Sequence, residues 1–232
     1  MRDLITYINE SFKLGKNKVK KDDDYVDLGL PSKTLWCKYN VGAKPGSTAE
    51  SWYGDYFMWG DTEPITNKNS VWDNYKYCNG SEEYLTKYCT TNKPDYWSGI
   101  GNPDNKVTLD EEDDMASVNM GEDWKMPTKE QFKELIDNTK SKWVRNYKEI
   151  SGLNGILFTS KTNGNTLFIP AAGYRIGSSV HTVGFMAYIW SSTLDDSYPN
   201  YAHILVGDSY RIHTSKEWRN SEFSVRAIMN KK

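Results

Sequence analysis

The chain predicts an α+β fold, with two helices packed on short antiparallel sheets and long irregular loops between them. Three observations predict it. The C-terminal third reads as successive hairpins: Ile156–Thr159 and Thr166–Ile169 flank Asn163-Gly164-Asn165, and an Asn-Gly step tolerates the positive φ angles of a tight turn. Helix-start signals stand before Met115 and at Thr128. Asp61–Lys106 carries neither helical nor strand periodicity and is studded with Tyr and Trp, which predicts a mostly irregular loop. Strands, a loop-rich middle, helices and then hairpins is the order of an antiparallel α+β domain.

In chain order, Met1–Phe12 places Leu4, Ile5, Ile8 and Phe12 at helical spacing, an amphipathic helix. Gly15–Asp24 is a run of Lys then Asp with little to bury, a flexible linker. Residues 1–24 therefore form a leader, and residues 25–232 form the globular domain. Tyr25–Pro31 reads as strand and turn, Thr34–Val41 as the next strand, and the aromatic Trp52–Gly60 as a core strand. Acidic residues 110–114 precede Met115-Ala116-Ser117-Val118 and suit a helix N-terminus capped by Thr108 or Asp110. A calcium cluster is the alternative, but the spacing is not that of a helix-loop-helix calcium loop. Thr128 with Gln131 makes a capping box, and Phe132, Leu135 and Ile136 form the buried stripe of the second helix. Lys142–Tyr147 reads as a short strand, Tyr188–Thr193 as a buried one, and Phe223–Ile228 as core.

Composition excludes several functions. The net charge is −2, too balanced to hold a nucleic acid by its phosphates. No apolar run approaches the ~20 residues of a membrane span, so no membrane insertion is expected. No apolar leader segment marks a secretory signal. Cys37, Cys78 and Cys89 are an odd set and no disulfide framework; reduced thiols or a Cys78–Cys89 pair are both compatible with it. No nucleophile motif supports an enzyme, and no cofactor is implied.

The stretch Asp195–Ser221 is crowded with Asp, Ser, Tyr, Asn, His and Arg. Ala202, Ile204 and Val206 alternate with Tyr201, His203 and Leu205, and Ile212 lies between Arg211 and His213. Alternate strand side chains face opposite sides. One set is expected to anchor in the core and the other to face out as an adaptable binding surface. The candidate ligand-binding residues are Asp195, Asp196, Tyr198, Asn200, Tyr201, His203, Asp208, Tyr210, Arg211, His213, Trp218, Arg219 and Asn220.

Seven segments in order, among them Val26-Asp27-Leu28-Gly29-Leu30-Pro31-Ser32, Trp124-Lys125-Met126-Pro127-Thr128, Pro170-Ala171-Ala172-Gly173-Tyr174-Arg175 and Trp190-Ser191-Ser192-Thr193, together resemble the major paralogous domain family of gut bacteria and their phages. The others are Tyr53–Gly60, Thr108–Asp114 and Phe223–Arg226, and the likeness runs from about Tyr25 to Ile228. That family has a C-type-lectin-like fold and includes the variable proteins of diversity-generating retroelements. The resemblance implies a non-catalytic display domain that binds a protein or glycan on a cell surface. Its location would be a phage virion or cell surface, or else the cytoplasm, with residues 1–20 docking onto a larger assembly. It also implies that the C-terminal face is diversified at template adenines. Asp, Tyr, His, Ser and Gly are reachable from AAC or AAT codons, which otherwise leave Asn, and Asp195, Asp196, Tyr198, Asn200, Tyr201, His203, Asp208, Ser209, Tyr210, His213, Asn220 and Ser221 belong to this set, whereas Glu217 and Trp218 do not. The segment Trp124–Thr128 is also similar to the formylglycine-generating enzymes, but those need reactive cysteines in the C-terminal half and this chain has none after Cys89. For metal-dependent sugar binding, His181, His203 and His213 all fall in the C-terminal region, but the Glu-Pro-Asn motif of calcium lectins is missing: Glu63-Pro64 is followed by Ile65.

Overall fold

The computed structural model describes residues 24–64, 71–90 and 103–231. The expected leader helix Met1–Phe12, and its linker up to residue 23, lie outside the described residues.

The described chain is a mixed α+β structure of short antiparallel sheets and two helices. Strands β1 (Tyr25–Asp27) and β2 (Thr34–Cys37) form a sheet with β11 (Ile228–Asn230), in the order β1-β2-β11. Trp36 pairs with Val26 on one side and Ile228 on the other. A second sheet has the order β3-β4-β5, from Thr139–Val144, Gly155–Ser160 and Thr166–Pro170. Its β4–β5 turn holds Gly164 at φ +76°, as the Asn-Gly step requires. A small hairpin, β6 (Tyr174–Ile176) with β7 (Ser179–His181), follows. The last sheet has the order β10-β9-β8, from Ile212–Trp218, Tyr201–Gly207 and Ala187–Leu194.

Helix α2 (Lys129–Asn138) starts where its capping box places it: Thr128 accepts from the Gln131 N–H, and Gln131 accepts from the Thr128 N–H. Phe132 and Leu135 are buried, and Ile136 packs at the edge of the same cluster. Helix α2 crosses the β8–β9–β10 sheet, so that sheet is covered on both faces. Trp190, Ala202, Ile204 and Val206 enter one core with Trp59 and Phe223. Ile189 and Leu205 enter another with Phe132 and Trp36. Leu205, expected on an outward face, is therefore buried beneath α2.

Three further expectations change. Helix α1 (Met115–Met120) is capped by neither Thr108 nor Asp110 but by Asp114, whose carboxylate accepts from the N–H groups of Ala116, Ser117 and Met126. Asp110 and Asp113 are instead drawn to Lys87. Trp52–Gly60 is core but not a strand. Trp52, Tyr53, Tyr56, Phe57, Met58 and Trp59 are all buried, yet the backbone pairs with Phe223 at Phe57 alone, between turns at Gly54 (φ +75°) and Gly60 (φ +81°). A Cβ on Gly54 would stand 2.3 Å from the Val41 carbonyl oxygen, so glycine is required there. The strand expected at Lys142–Tyr147 starts earlier, at Thr139, whose hydroxyl donates to the Leu135 carbonyl as the helix ends. The described parts of Asp61–Lys106 do form irregular loop, and Cys37, Cys78 and Cys89 are all free thiols.

Two buried arginines hold this irregular backbone. Arg219, with no exposed surface, donates to the carbonyls of Lys87, Tyr88 and Pro199 and to the Tyr75 hydroxyl. Its guanidinium lies 4.9 Å from the Trp59 ring centre and 5.0 Å from that of Tyr75. Arg226, also fully buried, donates to the carbonyls of Cys37 and Lys38 and to Asn40 Oδ1, and burial brings its pKa down to about 10. Loop carbonyls that have no strand partner need such donors, and guanidinium supplies five. Arg219→Met is expected to cost about 3 kcal/mol or more in denaturant unfolding, because it orphans several buried acceptors. The exposed Arg211→Met should stay within about 0.5 kcal/mol.

Candidate functional site

The β9–β10 hairpin decides which side chains meet. Trp218 pairs with Tyr201, Lys216 with His203, and Thr214 with Leu205. These share the face that α2 covers only in part. Beyond the end of α2, Tyr201, Trp218 and Tyr198 come together: ring centres are 6.4 Å apart for Tyr198–Tyr201 and 6.3 Å for Tyr201–Trp218. Tyr198 is 46% exposed and Trp218 47%. The Lys216 ammonium lies 4.4 Å from the Tyr198 ring centre and 5.7 Å from that of Tyr201. Such contacts contribute about 0.5–1 kcal/mol at exposed sites.

Asp195 sets this geometry from below. It is buried, with Oδ1 accepting from the N–H groups of Ser197 and Tyr198, and Oδ2 lying 3.0 Å from Lys216 Nζ. The loop therefore turns back at Asp195, lifts Tyr198 outward and re-enters the sheet at Tyr201, whose N–H donates to the Tyr198 carbonyl. Next to it, between α2 and β10, is a shallow cavity of about 340 Å³ lined by Lys129, Lys133, His203 and Lys216. His203 Nε2 is 3.5 Å from Lys129 Nζ and 3.7 Å from Asp195 Oδ2. Burial lowers the His203 pKa, the Lys129 charge lowers it further, and Asp195 only partly opposes this.

The thirteen sequence candidates divide into separate places. Tyr198, Tyr201, His203 and Trp218 form the patch, with Asp195 beneath it and Asp196 exposed beside it. Asp208, Tyr210 and Arg211 sit in the turn at the other end of the hairpin, roughly 20 Å away at about 3.3 Å per strand residue. There Asp208 accepts from the N–H groups of Tyr210 and Arg211, which holds its carboxyl below the usual range, and Tyr210 is 95% exposed. His213 pairs with Val206, on the opposite face from Tyr201, so it does not join the patch. Asn200, Arg219 and Asn220 are buried and lie outside the patch. Asn200 donates to Glu82, and Arg219 holds loop carbonyls. The strand ends at Trp218, and Arg219 opens a turn that points it inward.

Lys216 was not a sequence candidate, although strand alternation puts it on the same side as Trp218 and opposite His203. Lys129, contributed by α2, could be found only from the packing.

The acidic segment does not present an open cation site. Asp110, Glu112 and Asp113 place their oxygens within 4.8 Å of one another. The Lys87 ammonium stands among them, 2.7, 3.5 and 2.6 Å from the three carboxylates. Lys76 and Lys106 add charge from outside. Despite the cost of burial, Lys87 and the Tyr77 and Tyr88 hydroxyls bring the Asp113 pKa down to about 2.

Two outcomes follow. Calcium is expected to leave the melting temperature unchanged in a thermal-shift titration, because Lys87 already supplies the counter-charge. His203 is held neutral in the fold, while the unfolded side chain titrates near pH ~6.5. Its contribution is therefore complete above that value and is lost as pH falls toward the lowered folded value. Urea unfolding from pH 8 to 5 should show His203→Gln losing less stability than wild type over that range. Comparison with protein families, with curated proteins and with solved structures returned no match to this chain.

Proposed function

We propose that the chain is a non-catalytic ligand-binding protein of C-type-lectin-like fold, which recognises a protein or glycan on a cell surface through Tyr198, Tyr201 and Trp218. The observation that carries this reading is the joining of those three rings and Lys216 at one end of a sheet whose β8 and β9 side chains enter a core on each face. Exposed Tyr and Trp on a rigid frame offer large contact area at small entropic cost. Stacked against a sugar ring or a partner side chain, they would bury area that water now covers, with Lys216 available as a polar contact. The rigidity has a visible source: Arg219 and Asp195 tie the loop carrying Tyr198 from two sides. Display on a phage virion or a cell surface, with residues 1–20 as the docking segment, belongs to the same proposal.

The thiols weigh against the formylglycine-type enzyme reading. Burial pushes the pKa values of Cys37 and Cys78 up, and that of Cys89 up to about 11. Thiolate is the reactive form, so such cysteines stay protonated and unreactive near neutrality.

The test is binding of the purified chain to a glycan array and to intact cells of candidate hosts. Tyr198→Ala and Tyr201→Ala are each expected to weaken binding by about thirtyfold, the effect of losing a hot-spot aromatic. Tyr210→Ala should change it little. Retention of binding in the Tyr198/Tyr201 double variant, with loss in Tyr210→Ala, would place recognition at the hairpin turn and sink the proposal.

A further inference from the structure

A second concavity lies on the other face of the β9–β10 hairpin. It is a cleft of about 580 Å³, a size that accepts a small organic ligand. Tyr188 and Phe223 stack in it with centres 4.9 Å apart, and Tyr174 meets Tyr188 edge-on at 5.8 Å. Val71, Ile176 and Trp218 are half-exposed lining residues of it. Two charged residues line it, and they differ. Arg175 donates from Nε to the Gly177 carbonyl and lies 3.8 Å from the carboxylate of Glu222, itself fully buried, so its charge is matched. Glu217 has no ion pair and no hydrogen bond from another side chain among the described residues. Burial raises its carboxyl pKa, with only the Trp218 N–H opposing the shift. Its negative charge also reaches the Tyr188 ring, whose hydroxyl it helps to push up after burial itself.

An unmatched carboxylate among aromatic rings lacks one thing, a compact cation. An inorganic ion would find a single carboxylate and no further hard ligands, which is too few for a hard divalent cation. An anion would be repelled. An organic ammonium satisfies both halves of the cleft: its charge meets the carboxylate, and its polarised methyl or methylene groups pack on ring faces.

We propose that this cleft binds a small organic ammonium ion, with Glu217 as its counter-charge and Tyr188, Tyr174 and Trp218 as the aromatic surfaces that enclose it. Glu217 comes from β10, Tyr188 from β8 and Tyr174 from β6, so three elements build the site. Its counter-charge lies apart from the Tyr198–Tyr201 patch, since Glu217 and Tyr201 project to opposite faces of the hairpin, and Trp218 borders both.

The full chain would be titrated with tetramethylammonium at constant ionic strength and followed by ligand-observed NMR. Neopentyl alcohol, of the same shape without the charge, is the comparison probe. Wild type is expected to bind the cation saturably and the alcohol about tenfold more weakly or not at all, since charge-assisted contacts differ from neutral ones by about that factor. Glu217→Gln should weaken the cation about tenfold. Ile176→Lys, an exposed change that places a positive charge beside the cleft, should weaken it too, and it decides the matter if Glu217→Gln fails to fold. Tyr210→Ala, at the far turn of the hairpin, should leave the titration unchanged. Equal binding of both probes, no saturable cation binding, indifference to both cleft variants, or loss in Tyr210→Ala would each overturn the proposal. Cell-surface recognition failing while the cation still binds would remove only the recognition reading.

Discussion

The guanidinium of Arg219 is the constraint on which the candidate surface depends. Carbonyls from Lys87, Tyr88 and Pro199 converge on it, together with the Tyr75 hydroxyl, which in turn donates to the Trp59 carbonyl. None of those partners carries a charge. Burying a cation this way is costly. The cost is offset by giving loop carbonyls, which no strand can satisfy, a donor with fixed geometry, and by lining the cavity with the faces of Trp59 and Tyr75. The gain is local order in segments that would otherwise have little to hold them. Arg226 plays the same part where β2 ends. Loops joined in this way can carry exposed rings without much motion, and a fixed ring loses little entropy on binding.

The sheet that bears the patch is an unusual support because both of its faces are used. Apolar residues of β8 and β9 enter a core on each side, and the end of the hairpin beyond α2 leaves Trp218 open for display. This explains why so short a stretch combines full burial at Ile204 and Leu205 with nearly half exposure at Trp218. The two concavities flank the same strand, β10, and Trp218 stands at the corner between them.

Much of the scaffold was legible in the sequence. The capping box at Thr128, the Asn-Gly hairpin and the buried Tyr188–Thr193 strand each rest on local chemistry, and the structure keeps all three. Asp114 took the cap expected of Thr108 or Asp110 because a distant lysine captured the neighbouring carboxylates, a pairing without local signature. The aromatic run Trp52–Gly60 showed its burial but not its path, since ring content signals core and says nothing of backbone partners. The site was half legible. Alternation in β9 and β10 separates Tyr201 and Trp218 from Ala202 and Glu217, but it applies only inside the strand. At Asn200, Arg219 and Asn220 the chain has left the ladder, and polar residues that composition marks as surface are turned inward to serve loops.

The pairing of β2 with β11 joins residues 192 positions apart: Trp36 lies opposite Ile228, and Lys231 reaches back to Asp27. A ribosome delivers the first of these strands long before the second. Until residues 228–230 emerge, β2 has a partner on one side only, and its other edge stands open to whatever strand comes near. Completion of this sheet thus waits on residues 228–230, and a slow, non-local closing step is built into how the molecule matures.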